Sequence, residues 1–236
     1  PVAVIDHHES SHDGLRIPFR DTRPRITASA TIATTYLREQ GLEPSLQMAT
    51  AMLYAIRTEM QGARAALSAL DHAALRWLSG YAEYDVLADI ENAPLPRHYY
   101  EELLLSLDRV LVYADSALCF LPKISGPEIL GEVADLLIRG DGLNYVLCGG
   151  KHHGDFVLSA RSKRNSKDAV SLLRHVLCDL GHCGGHRCRA GGKIEVSTSG
   201  RDMEDLEREL RIRWLDACNS TRRRGQRLVR RREMAR

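Results

Sequence analysis

Three consecutive residues near the start of the chain, Asp6, His7 and His8, have side chains able to do chemistry. Two imidazoles and a carboxylate suit a borderline divalent ion such as manganese or zinc, and either imidazole could instead hold a phosphate oxygen. Residue type alone leaves a plainer reading open: one surface acid beside two solvated histidines. Position adds to the argument. Val2, Ala3, Val4 and Ile5 run straight into the triplet and read as a short buried strand, so the triplet would stand where that strand ends. In open α/β sheets ligands collect outside the carboxyl ends of the strands.

A second stretch, Gly184-Gly185-His186-Arg187-Cys188-Arg189-Ala190-Gly191-Gly192, reads as a loop. Its glycines would allow close backbone approach to a ligand, and His186 can donate to a phosphate or sugar oxygen. Together, Asp-His-His and the downstream Gly-Gly-His resemble the DHH phosphoesterase superfamily, over most of the chain up to about residue 215. That resemblance implies an α/β chain with a partial DHH phosphoesterase domain, a parallel sheet with helices, over residues 1–110. A smaller α/β DHH-associated domain that binds substrate would follow over 111–217, and a basic tail over 218–236.

The chemistry it implies is hydrolysis of phosphoester or phosphoanhydride bonds with two manganese ions, which acidify a water and stabilise charge on the phosphoryl group. His7 would bind a metal, His8 would contact the scissile phosphate, and Asp6 would orient the histidine pair by hydrogen bonding. Glu59 would complete the metal shell; it lies in Arg57-Thr58-Glu59-Met60-Gln61, where family members commonly place an aspartate. Arg161 and Ser162, with Gly184, Gly185 and His186, would hold the substrate, a guanidinium at a strand end being suited to bidentate phosphate contact. The family's other metal ligands precede Asp-His-His, and Asp13, Asp21 and Asp71 lie in unsuitable contexts to replace them. The expectation is therefore a fragment or remnant with little hydrolysis of its own.

The implied function is a manganese-dependent phosphodiesterase or phosphatase acting on short oligonucleotides or nucleotide phosphoesters. Its Gly-Gly-His stretch is similar to those of oligoribonucleases that also dephosphorylate nucleotides, cyclic-dinucleotide phosphodiesterases and RecJ-like exonucleases. The alternative is a non-catalytic module that binds nucleotide or nucleic acid. The expected partners are short RNA, DNA or a nucleotide, with no membrane, and a homodimer is left open.

The 236 residues are enough for one large or two modest domains, and 44% hydrophobic with 27% charged residues is a globular composition. No run approaches a membrane span. Six cysteines, spread through apparent strands and helices, read as reduced and the protein as cytoplasmic. The formal charge of +2 hides an asymmetry: residues 219–236 hold eight arginines and one glutamate, so the remainder sums to 2 − 7 = −5. Such a tail could attract nucleic acid through counterion release or be a solvated terminus.

Between these landmarks, residues 12–24 read as a loop. A helix capped by Thr27 or Ser29 should run to about 40. The next should start at Ser45 with Leu46, Ala49, Met52, Leu53 and Ile56 facing the core, and Ser68 with Asp71 resembles a capping box ahead of a helix containing Trp77, read as core. Further helices are expected over 99–113, from 126 to 140, over 166–180 and over 202–217. Strands at 117–121, 144–148, 156–160 and 193–196 complete the second domain, with the glycine-rich residues 149–154 as a hairpin turn. His152 and His153 in that turn are taken as solvated. His182, Cys183, His186 and Cys188 could in principle hold zinc, but their crowding within seven residues leaves little room for tetrahedral closure.

Overall fold

The computed structural model describes residues 2–8, 17–62, 67–196 and 202–229, arranged as two compact units, Pro1–Pro94 and Leu95–Arg236. No helix among the described residues is long and apolar enough to cross a membrane. The chain is a mixed α/β protein.

In the first unit, strands β1 (Ala3–Asp6) and β2 (Phe19–Thr22) pair in parallel, with Asp6 opposite Thr22. The expected loop over 12–24 therefore contains a strand; its residues Phe-Arg-Asp-Thr carry little apolar signal, and it is defined by ladder bonding to β1. β1 is less buried than its composition suggests, with Val2 63% and Ile5 41% exposed. A run of β-formers reports strand tendency, whereas burial depends on what is laid against the faces.

Helices α1 (Ser29–Glu39), α2 (Leu46–Gly62), α3 (Ala69–Ser79) and α4 (Tyr84–Glu91) follow. Ala49, Leu53 and Ile56, at helical spacing on α2, pack with Ala74 and Leu78 of α3 and Leu87 of α4. Leu46, expected on that face, is 50% exposed because its first-turn position lies beyond the packed cluster. Trp77 is only partly buried and meets Tyr81 edge-on, with ring centroids 5.3 Å apart. Ser45 Oγ accepts from Met48 N at 3.2 Å, and Ser68 with Asp71 forms the capping box of α3. Neither Thr27 nor Ser29 caps α1, whose N-cap is Ala28 without a side-chain bond. Their hydroxyls are engaged elsewhere: Thr27 with Asp71 and Ser29 with His7.

The second unit opens with α5 (Arg97–Arg109), which ends before β3 (Leu111–Tyr113) rather than running on to 113 as its apolar pattern suggested. Then come β4 (Ser116–Leu121), α6 (Glu128–Leu137), β5 (Tyr145–His152), β6 (Asp155–Ser162), α7 (Ala169–Val176), β7 (His182–His186), β8 (Arg189–Glu195), α8 (Met203–Ala217) and β9 (Gln226–Arg227). They form one seven-stranded sheet in the order β7-β8-β6-β5-β4-β3-β9, in which only the β4–β5 pairing is parallel.

Alternation along the strands builds a core on each face. Leu118, Leu147, Phe156, Leu158 and Ala190 pack with α7 and α8, where Trp214 is fully buried and donates through Nε1 to Ser116 Oγ at 2.9 Å. On the other face Ala117, Cys119, Leu121, Val146 and Cys148 pack under Ile129, Leu130, Val133 and Leu137 of α6.

Two glycine-rich stretches differ from expectation. Gly149 and Gly150 belong to β5, not to the hairpin turn, which lies at His153 and Gly154. They are small because a Cβ at Gly149 would stand 2.8 Å from Phe156 Cε1, and one at Gly150 would stand 2.7 Å from Ile124 Cγ2. Consequently His152 is a strand residue; His153 alone occupies the turn, with φ 53°. Likewise Gly184-Gly185-His186 is strand β7, hydrogen-bonded to β8 through the turn at Arg187 and Cys188, rather than a loop.

Candidate active site

In the first unit, the end of β1 delivers Asp6, His7 and His8 into one group whose candidate ligand atoms all lie within 4.8 Å of one another. Asp6 Oδ1 accepts from His8 Nδ1 at 2.6 Å and from the His8 backbone N at 3.1 Å. An ionised carboxylate can only accept, so Nδ1 of His8 carries a hydrogen toward Asp6 and Nε2 is the ring nitrogen that Asp6 does not engage. His7 Nδ1 shares a hydrogen bond of 2.9 Å with Ser29 Oγ, at the first residue of α1. The rings of His7 and His8 lie 4.3 Å apart. Thus β1 sets the triplet, and α1 steadies one imidazole of it.

Neighbouring acids are committed elsewhere. Asp21 takes a fork of bonds from Arg23, Nε at 2.9 Å and Nη2 at 2.7 Å, and also accepts from the Tyr36 hydroxyl; the Arg23 hydrogen bonds, foremost, hold its carboxyl below the usual range. Arg23 N in turn donates to Asp6 O at 2.9 Å, tying this pair to the end of β1. Asp71 is fully buried and accepts from Thr31 Oγ1 at 2.8 Å, Ser68 N at 3.0 Å and Thr27 Oγ1 at 3.1 Å. Burial opposes its ionisation, but these bonds together outweigh it and lower its pKa. Glu59, the acid expected to complete the metal shell, is exposed on α2 and is not among the three residues whose ligand atoms lie within 4.8 Å of one another.

In the second unit, strand register gathers the expected substrate residues. Arg161 on β6 lies opposite Arg189 on β8, and Arg189 lies opposite His186 on β7. Two residues along each strand, and so on the same face, Ser159 lies opposite Gly191, and Gly191 opposite Gly184. A Cβ at Gly184 would meet nothing within 4 Å, and one at Gly191 only Leu158 O at 3.8 Å. These two glycines are not demanded by packing; they leave an open floor between the arginines and the sheet edge.

Arg161 is itself buried and saturated. Nε and Nη2 make a fork with Asp135 of α6 at 2.8 and 3.2 Å, Nη1 donates to Ser159 Oγ at 2.8 Å and Ala160 O at 3.0 Å, and Nη2 also reaches Gly131 O at 3.3 Å. All five guanidinium donors therefore have acceptors. Arg189 Nη2 lies 3.1 Å from the same Asp135 and is more exposed, so it is the guanidinium facing the open floor. Ser162, one residue beyond Arg161, is buried and donates to Arg187 O at 3.4 Å; the step of one residue along a strand turns it to the opposite face. Gly185 is separated from the floor in the same way, and with φ 145° its Cβ would stand 2.3 Å from Arg189 O. Asp135 and Ser159 were not picked out by sequence reasoning, and Arg189 was given no role within the glycine-rich stretch, because only cross-strand register shows that they share a face with Gly191. Among the described residues the Asp-His-His group is the one cluster suited to a metal, so His182, Cys183 and Cys188 do not form one.

No family model matches the chain. An uncharacterized protein of Methanocaldococcus jannaschii is 31% identical over 194 residues, 82% of this chain and 39% of that protein. The chain thus spans well under half of the curated relative it matches. Among solved structures, an exopolyphosphatase-related protein from Bacteroides fragilis is similar with a TM-score of 0.72 and 16% identity, over 92% of this chain and 64% of its own. RecJ of Thermus thermophilus in complex with Mn2+ is similar over 85% of this chain and 24% of its own, with a TM-score of 0.40 and 16% identity. The chain shares the fold of the Bacteroides fragilis protein.

Proposed function

We propose that the chain is part of a DHH-type phosphoesterase that uses manganese to hydrolyse short oligonucleotides or nucleotide phosphoesters. The observation that carries the reading is the gathering of Asp6, His7 and His8 within 4.8 Å at the carboxyl end of a parallel strand pair. The description of the Bacteroides fragilis protein as exopolyphosphatase-related is in keeping with phosphoryl chemistry on this fold. Two imidazoles and a carboxylate are a donor set fit for manganese, though for only part of the coordination of two ions. When bound, such ions acidify a water and neutralise charge on the phosphoryl group.

In this reading His7 holds a metal and is oriented by Ser29, His8 contacts the scissile phosphate, and Asp6 positions His8 through Nδ1. The open floor of β6, β8 and β7, within the second unit, binds substrate phosphate. Arg189 reaches that phosphate directly, while Arg161 shapes the floor from beneath through Asp135.

The specific observation favouring a second reading, a nucleotide-binding module without chemistry, is that the cluster offers three donors and one of them is already engaged by His8. The deciding experiment measures manganese-dependent release of mononucleotide from a short RNA by the 236-residue chain and by the full natural gene product. Turnover by the full gene product, abolished there by His7→Ala, and little turnover by the 236-residue chain are expected. RNA binding by both without turnover would establish the module instead.

A further inference from the structure

Residues 220–229 of the arginine-rich end are not simply a solvated terminus; Arg230, Arg231, Arg232 and Arg236 lie outside the described residues. Leu228 N donates to Val110 O at 3.1 Å, β9 pairs antiparallel with β3, and Gly225 is pressed so closely on Tyr113 that a Cβ there would stand 2.6 Å from Cζ of the ring. Ser220, where the segment begins, is buried. Anchored at both ends, the segment folds into a groove of about 690 Å³ lined by Arg222, Arg223, Arg224, Gly225, Gln226 and Arg227, with no acid in its wall.

Two of the four arginines are partly committed. Arg223 pairs with Asp216 at 2.6 Å, and Arg227 donates to Asp108 O with its carboxylate 3.7 Å away. Arg222 and Arg224 are exposed and make no ion pair among the described residues. A charged edge strand also discourages edge-to-edge aggregation, but that needs charge alone, not four guanidinium groups held around one open concavity. The groove has no aromatic lining, since Tyr113 is buried beneath Gly225, so it offers charge-assisted bonds to phosphates and no platform for bases.

We propose that this groove binds the phosphodiester backbone of single-stranded nucleic acid, independently of base sequence. β9 and the Gly-Gly-His strand are opposite edges of one seven-stranded sheet, six strand spacings or roughly 29 Å apart. A mononucleotide or dinucleotide cannot touch both edges, whereas a longer strand can. Given the proposed function, in which the Gly-Gly-His edge receives substrate, the groove selects for chain length, and it is separate from the Asp-His-His group.

The test is fluorescence anisotropy with labelled oligonucleotides of two and twelve nucleotides, without metal and with EDTA, so that hydrolysis plays no part. The full chain is compared with the double variant Arg222→Ala/Arg224→Ala over 50–300 mM salt. We expect the twelve-nucleotide strand to bind the variant more weakly, with the slope of log affinity against log salt shallower by about 1.4, corresponding to two lost phosphate contacts. Uridine and adenosine strands should behave alike, the dinucleotide should be unaffected, and Arg222→Lys/Arg224→Lys should restore most of the slope. An unchanged slope in the alanine variant, with its circular dichroism intact, would overturn the proposal. So would capture of inorganic polyphosphate but not of the twelve-nucleotide strands.

Discussion

Asp6 Oδ1 and His8 Nδ1 meet at 2.6 Å across a single intervening residue, and the same oxygen accepts the His8 backbone N. The backbone bends at His8 as the strand ladder ends. Asp6 is thereby an orienting group for the His8 imidazole. The Asp6→Asn variant can present its amide nitrogen to His8 Nδ1 and upset that orientation. On the proposed function, manganese affinity or turnover should fall roughly 10–100-fold, read by calorimetric titration and by RNA hydrolysis. Retention of both would remove Asp6 from the site.

Asp71 links α1 to α3 from a fully buried position. Its folded pKa lies below the unfolded value, so the protein gains stability from it above the ordinary carboxylate range and loses that contribution as pH falls from about 5. Asp71→Ala should destabilise the first unit by on the order of 2–3 kcal/mol at pH 7, since the donors of Thr31 and Ser68 are left unsatisfied and a cap is lost. Urea unfolding of wild type and variant at pH 7 and pH 3.5 checks this. The gap between them should narrow at the lower pH.

Arg161 and Arg189 share Asp135 but should respond differently to truncation. Arg161→Ala leaves Asp135 without its fork and empties a buried volume, so it should lower stability by about 3 kcal/mol. Arg189→Ala should change stability by about 0.5 kcal/mol or less. On the proposed function it should nevertheless weaken nucleotide binding at least as much as Arg161→Ala does. Thermal unfolding and nucleotide titration of both variants separate the two roles.

The glycines of the second unit divide by what surrounds them. Gly149→Ala forces a methyl group against Phe156, Leu158 and Phe120 and should cost about 1–3 kcal/mol. Gly184→Ala meets open space and should leave stability within about 0.5 kcal/mol. If the floor of β7 and β8 receives substrate, Gly184→Ala weakens nucleotide binding all the same. Denaturant titration and binding measurements on the pair distinguish a packing glycine from a binding one.

Much of this could be read from the residues in order. The apolar spacing of Ala49, Leu53 and Ile56, the Ser68–Asp71 capping box and the alternating strands on either side of His153 are local signals, each contained within a few residues of its element. They specified an α/β chain and the nearness of Asp6, His7 and His8, which adjacency alone guarantees. Tertiary structure decided what depends on residues far apart in the chain. It made Gly184-Gly185-His186 an edge strand, since a glycine pair has no strand propensity and is held there by the ladder to β8. It buried Arg161 against Asp135, 26 residues away, and turned Arg189 toward the open floor, because helix α6 crosses that end of the sheet. It left Glu59 exposed on α2, outside the tight Asp6–His7–His8 group, on a helix held by Ile56 and Leu53 packing with α3 and α4. Local propensity chooses elements; which side chains converge on a site follows from register and packing, and those are summed over the whole unit.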